Sequence, residues 1–148
     1  MPVIAVPKSF TYRTSLDNVI GRTGLAHSGG KPELRVASPP EFKGPEGIWT
    51  PEDLFVSAIE VCLMLTFVGI AEKRGLSFQR YESSAEGLLE WRETSYRFSR
   101  VVVRPRITVG SESSIATARE VIERAHKTCL VANSVSANVI VEPDVVVG

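Results

Sequence analysis

GIWTPEDLFVSAIEVCLMLTFVGIAEKRGL, residues 47–76, is the stretch whose reading decides the fold. Thr50 stands in the N-cap position, and Pro51 suits the first helical position, where its missing N–H has no partner to lose. Asp53 stands where the acid of a capping box stands. At the other end Gly75 suits the left-handed residue that closes a helix. The spacing predicts one helix over 51–74, about 36 Å long at 1.5 Å per residue. So much apolar surface surrounds its middle that it is expected to be central and largely buried. Inside that run lies Cys62, two residues after the carboxylate of Glu60.

The flanking sequence reads mostly as strands. SFTYRTSL (9–16) alternates Phe10 and Tyr12 with polar residues, as a half-buried strand does. NVIGRTGLAHSGGKP (18–32) is turn-rich, with a hairpin expected near SGGKP, and ELRVAS (33–38) reads as another strand. PPEFKGPEGIWTPED (39–53) is a proline- and glycine-rich loop. Beyond the helix come three β-like runs: LSFQRYESSAEGLLEW (76–91), YRFSRVVVRPRITVG (96–110) and ANVIVEPDVVV (137–147). Between the last two, roughly 113–128, Ile115, Ala118, Ile122 and Ala125 repeat at spacings of 3, 4 and 3 and mark one helical face. Four residues further along that face is Cys129. The order strands, long helix, strands, helix, strand indicates an α+β fold.

Composition narrows the function classes. At 148 residues the chain suits a single domain over 1–148 with a real core. Seventeen basic and seventeen acidic residues cancel, so no global field draws nucleic acid or an anionic membrane, and neither is expected as a partner. The longest apolar run, 61–71, is too short to span a bilayer. MPVIAVPKSF, the first ten residues, lacks a secretory pattern, so a cytoplasmic location is expected. There, two cysteines do not form a disulfide scaffold.

Both cysteines point by pattern toward apolar surroundings, from two different helices. They are either buried, inert thiols or a redox pair. Burial raises a thiol pKa whereas chemistry needs the thiolate, so a reactive Cys62 requires a cation or aimed donors. Nothing cationic lies within a helical turn of it in sequence, so the fold must deliver them.

The 47–76 stretch resembles the central-helix motif of the OsmC/Ohr family, the osmotically inducible protein C and organic hydroperoxide resistance proteins. In that motif a Pro-Glu pair opens a long helix and a cysteine follows ten residues after the Glu, as Glu52 and Cys62 do here. AHKTCLVANSVSANVIVEPDV (125–145) resembles the family's second cysteine motif and assigns Cys129, while GRTGLA (21–26) resembles a glycine-flanked arginine and assigns Arg22. The resemblance implies an OsmC-like fold, with antiparallel sheets around a long central helix in an intertwined homodimer. It also implies thiol-dependent reduction of organic hydroperoxides, with hydrogen peroxide as a further substrate. Cys62 would be the peroxidatic thiolate and Cys129 the resolving thiol that forms a disulfide with it. Arg22 would lower the Cys62 pKa and Glu52 would orient the arginine. An external dithiol, a lipoyl protein or a small thiol, would reset the pair.

Ten helical residues separate Glu52 from Cys62 by about 15 Å and turn them roughly 80° apart, so they cannot meet on one straight helix. Either the first turn is pulled away, or Glu52 reaches the Cys62 of a second subunit. Glu60 lies about 160° around the helix from Cys62, which suggests a solvated or interface carboxylate, or an acid lining the neighbouring site. SAIEVC replaces the family's usual Ala-rich stretch, and GIWTPEDL its usual opening, as in a divergent branch. His27 and His126 beside two cysteines match zinc ligands in type only: no CxxC or HExxH exists, and no metal or cofactor is expected. Arg100, Arg104 and Arg106 share one side of a strand, which a solvent-facing sheet or carboxylate partners explain. Trp49, Phe55 and Phe67 could wall an alkyl hydroperoxide site or belong to the core or dimer interface. The competing function is a non-enzymatic OsmC-fold dimer that senses redox state or binds a ligand.

Overall fold

The structure, a computed structural model, describes residues 8–148. The segment that lacks a secretory pattern falls largely on residues 1–7, which lie outside the described residues. The chain divides into two compact units, Met1–Asp53 and Leu54–Gly148.

In the first unit β1 (Ser15–Ile20), β2 (Thr23–His27) and β3 (Leu34–Ala37) form an antiparallel sheet in that order. The β1–β2 turn is tight, with Gly21 at φ 53° and the Asn18 amide donating to the carbonyls of Gly21 and Thr23 at 3.2 and 2.8 Å. The β2–β3 turn falls at the expected SGGKP, closed by the Lys31 N–H on the Ser28 carbonyl. The first strand begins later than its alternation predicts. Phe10 and Tyr12 remain 70% and 88% exposed, whereas 15–20 pair with β2. Alternation without a pairing edge does not make a strand. The loop end is tied back to β3 by the Ala37 N–H on the Trp49 carbonyl.

α1 spans Pro51–Arg74, as its caps predict. The capping box is reciprocal: the Asp53 N–H donates to the Thr50 hydroxyl and the Thr50 N–H to the Asp53 carboxylate, both at 3.0 Å. At the far end Gly75 has φ 67°, and the N–H groups of Gly75 and Leu76 bond the carbonyls of Glu72 and Ala71, a Schellman closure.

In the second unit β4 (Arg80–Arg92) and β5 (Ser95–Val109) form a long antiparallel hairpin. α2 (Ile115–Thr128) then carries the chain back, so β6 (Asn138–Val141) and β7 (Asp144–Val147) both add parallel to β5. The fold is α+β, as expected, but this sheet is mixed. A helical crossover returns a strand in the same direction, unlike a tight turn. The final β-like run is two strands, divided at Glu142–Pro143, where proline has no N–H for the ladder.

Ile59, Leu63, Phe67 and Ala71 of α1 pack into one core with Val101, Val103, Ile107 and Val109 of β5 and Ala118, Val121, Ile122 and Ala125 of α2. Gly87 permits the close approach of α1 to β4, since a Cβ there would lie 2.7 Å from Val56 and 2.9 Å from Phe98. The β5 arginines find carboxylates: Arg104 pairs with Glu86 and Glu142 at 3.0 and 3.2 Å, and Arg106 with Asp144 at 3.8 Å. α1 is less buried than its composition predicts, with Val61 and Leu65 47% and 58% exposed. The buried residues recur every fourth position and so bury one face. The helix is long and apolar enough to cross a bilayer, but its buried stripe is that of a core helix.

Removing the cap and removing the core anchor are expected to differ in cost. Thr50→Ala should lower unfolding free energy by about 1 kcal/mol, and Phe67→Ala by about 3–5 kcal/mol, as read by urea denaturation.

Candidate functional site

The second unit brings the two cysteines together. Cys62 lies halfway along α1, at the edge of its buried stripe, and remains partly accessible. Cys129 follows the last residue of α2, on the core-facing stripe, and is fully buried. Its extended backbone, with φ −63° and ψ 109°, ends the helix there. The following chain is pinned by its own polar groups. The Asn133 N–H bonds the Cys129 carbonyl at 3.0 Å, the Asn133 side chain caps the Lys127 carbonyl at 3.1 Å, and the Ser134 hydroxyl donates to the Leu130 carbonyl at 2.7 Å. This closure turns the amides of residues 130–132 toward the sulfurs.

The two thiols are inequivalent. Burial pushes the Cys62 pKa up, but donors outweigh it: the Val131 N–H, the Cys129 thiol, the Thr66 hydroxyl and the Leu130 N–H together bring it below the ordinary value. Burial also pushes Cys129 up. There the Ala132 and Val131 amides oppose it, while its hydrogen bond and its charge interaction with Cys62 add to the rise. When the pair loses a proton, the charge therefore falls on Cys62 and the remaining proton stays on Cys129. Thr66 is turned toward its own helix rather than toward the sulfur. Its proton goes to the Cys62 carbonyl at 2.7 Å while its oxygen lies 3.9 Å from the sulfur, so the hydroxyl must rotate to serve a thiolate.

Arg22 and Glu52 belong to the first unit. Arg22, in the β1–β2 turn, donates to the Phe42 carbonyl at 3.2 Å. Glu52 lies in the first turn of α1, with Oε2 buried and without a hydrogen-bond partner. The helix is continuous from Pro51, so its first turn is not pulled away. Glu60 is not a free surface acid: it accepts a hydrogen bond from Ser83 on β4 at 2.8 Å. Phe67 is core, and Phe55 stacks on Phe98 with ring centroids 4.6 Å apart. His126 meets the Val139 carbonyl at 3.1 Å, and His27 lies 3.2 Å from Asp17.

Sequence reasoning missed the amides of 130–132, which have no side-chain signature. Thr66 was findable, being one helical turn from Cys62. An accessible thiol of lowered pKa beside a buried second thiol is chemically equipped for oxidation and for disulfide formation.

An α+β frame that joins two inequivalent thiols defines a class of paired-cysteine proteins, and comparison with known proteins narrows it. The chain belongs to the OsmC-like protein family, whose model matches residues 44–144. Its fold is that of an OsmC-like protein of unknown function from Vibrio cholerae, with TM-score 0.83 and 22% identity over 91% of this chain and 99% of that one. An organic hydroperoxide resistance protein OsmC from Legionella pneumophila matches with TM-score 0.73 and 24% identity, over 92% and 96% of the two chains. The uncharacterised YmaD of Bacillus subtilis is 21% identical over 107 residues, 70% of this chain and 71% of its own length.

The inequivalence has a direct readout. A lowered pKa leaves more thiolate at neutral pH, so iodoacetamide is expected to label Cys62 before Cys129. In Cys129→Ala the thiol donor is lost, and the Cys62 labelling profile should move to higher pH, with a rate at neutral pH lower by about threefold or more. An unchanged profile would show that the thiol contributes nothing.

Proposed function

We propose that the protein is a thiol-dependent peroxidase that reduces organic hydroperoxides, with hydrogen peroxide as a second substrate. The observation that carries this reading is the partly accessible Cys62, set beside the buried Cys129 and held below its ordinary pKa by the Val131 and Leu130 amides and the Cys129 thiol. The Cys62 thiolate attacks the outer oxygen of ROOH and the O–O bond breaks. With one proton taken up, the products are Cys62 sulfenic acid and ROH. Cys129 then attacks the sulfenic sulfur, releasing water and leaving a Cys62–Cys129 disulfide. An external dithiol, small or protein-borne, reduces the disulfide through a mixed disulfide and is itself oxidised. The organic hydroperoxide resistance protein among the structural relatives supports the same substrate class.

Arg22 and Glu52 complete the machinery in this reading. A guanidinium stays charged and can serve thiolate and carboxylate together, so Arg22 adds to the amides in stabilising the anion and Glu52 orients it. On an unbroken helix Glu52 is about 15 Å from the Cys62 of its own chain, so it acts on the thiol of a second copy. The exposed Val61 and Leu65 on α1 and the unpartnered Glu52 oxygen both support a homodimer.

A steady-state assay with cumene hydroperoxide and dithiothreitol tests the reading. Cys62→Ser should abolish turnover, and Cys129→Ser should accumulate sulfenic acid without the disulfide. Arg22→Gln is expected to slow the peroxide step about tenfold or more, the equivalent of one pKa unit of lost charge stabilisation. Activity surviving in Cys62→Ser would sink the mechanism, and a monomer in light scattering at micromolar concentration would sink the placement of Glu52.

A further inference from the structure

Thr66 interrupts the apolar run of α1 one helical turn beyond Cys62, and therefore on the same face of the helix. Both residues are partly accessible. The Thr66 hydroxyl oxygen lies 3.9 Å from the Cys62 sulfur, while its proton is committed to the Cys62 carbonyl at 2.7 Å. This back-bond to the preceding turn is how a threonine inside a helix satisfies itself. It leaves the oxygen with unused lone pairs, so that in this orientation Thr66 accepts and does not donate. An ionised Cys62 thus has a second acceptor at its side, and a molecule that meets both must bring the proton.

We propose that Thr66 is a further catalytic residue: its hydroxyl oxygen accepts the O–H of the hydroperoxide and so presents the proton-bearing oxygen to the Cys62 sulfur. The proposal rests on the peroxidase reading and names the group that orients its substrate. A hydroperoxide has two unlike oxygens. Attack on the one that carries hydrogen gives a sulfenic acid and ROH, whereas attack on the other leaves a sulfenate ester and hydroxide. An acceptor beside the sulfur selects the first course.

The measured separation suits that role. An oxygen about 2.8 Å from the hydroxyl and about 3.3 Å from the sulfur spans the 3.9 Å between them with an angle of about 80° at that oxygen. In-line displacement asks for nearly that angle. The O–O bond must point directly away from the sulfur, and the O–H of a hydroperoxide stands roughly at right angles to its O–O bond. The O–H is then aimed at Thr66. As the thiolate pair forms the S–O bond the O–O bond breaks, and RO⁻ leaves and takes a proton from solvent. The hydrogen held by Thr66 stays on the transferred oxygen and becomes the proton of the sulfenic acid. Thr66 itself neither gains nor loses a proton, so no charge is left on it.

Thr66→Val keeps the branched shape and removes the oxygen, and Thr66→Ser restores it. N-ethylmaleimide carries no hydrogen-bond donor, so its pH profile gives both the Cys62 thiolate fraction and the intrinsic reactivity of that thiolate in each variant. Peroxide reactions are followed by stopped flow and compared per thiolate, which removes any effect of the hydroxyl on the pKa. Thr66→Val is expected to lose about tenfold with cumene hydroperoxide and with hydrogen peroxide alike, since both carry the O–H. Its rate per thiolate with N-ethylmaleimide should match the wild type, and Thr66→Ser should recover most of the peroxide rate. A merely structural role would not divide the two reagents in this way. A peroxide rate in Thr66→Val within about twofold of wild type overturns the proposal, as does an equal loss toward N-ethylmaleimide. A wild-type Cys62 that reacts with hydroperoxide no faster than a free thiol overturns the peroxidase reading and Thr66 with it, an outcome seen before any Thr66 variant is compared.

Discussion

The seating of α1 on the β4–β5 sheet is the constraint from which the thiol pair follows. Ile59, Leu63, Phe67 and Ala71 define one face, and their burial fixes the rotation of the helix about its axis. Cys62 is three residues beyond Ile59 and so about 60° from it around the helix, at the edge of that face. It therefore touches the core and stays accessible. On α2 the same arithmetic ends differently. The stripe Ala118, Ile122, Ala125 leads directly to Cys129, which falls inside the core. Two apolar stripes thus deliver two sulfurs at different depths.

Depth alone would make both thiols inert, since burial raises each pKa. The closure after α2 changes this. Asn133 and Ser134 bond the last helical turn and the chain just after it, and in doing so aim successive amides at sulfur. Backbone donors held by a rigid turn need no reorganisation when a charge appears, and they work without any net positive side chain nearby. The thiol of Cys129 completes the set. Its proton is worth more on loan to Cys62 than it would be facing an apolar wall, so the asymmetry of the pair reinforces itself.

Much of this frame was legible in the sequence because its signals are local. The Thr50–Asp53 box, Gly75 and the α2 stripe each report on neighbours within one or two turns, and the elements follow their limits closely. The convergence of Cys62 and Cys129 was legible only through resemblance, since 66 residues intervene, including the β4–β5 hairpin and α2. What local pattern could not carry was partnership. Phe10 and Tyr12 alternate correctly and lack a strand to pair with. The last apolar run adds parallel to β5 because of where α2 returns the chain. Val61 and Leu65 look like core residues by composition, but the buried stripe turns them outward. The amides of 130–132 are invisible to any reading of side chains.

Glu60 illustrates how an angle on a helix becomes an electrostatic assignment. Its position about 160° from Cys62 keeps its charge off the accessible sulfur. The structure adds what holds that carboxylate: the Ser83 hydroxyl of β4 donates to it at 2.8 Å, two residues along the strand from Tyr81, whose phenol its charge helps keep protonated. A carboxylate on this side of the helix disfavours a second negative charge there and leaves the opposite side free to hold one. Had Glu60 been one position later, it would have lain about 100° from the sulfur rather than 160°, nearer to the thiolate it would then oppose. The departure from small residues before the cysteine is therefore compatible with an ionised Cys62, because the helix turns the acid toward the sheet.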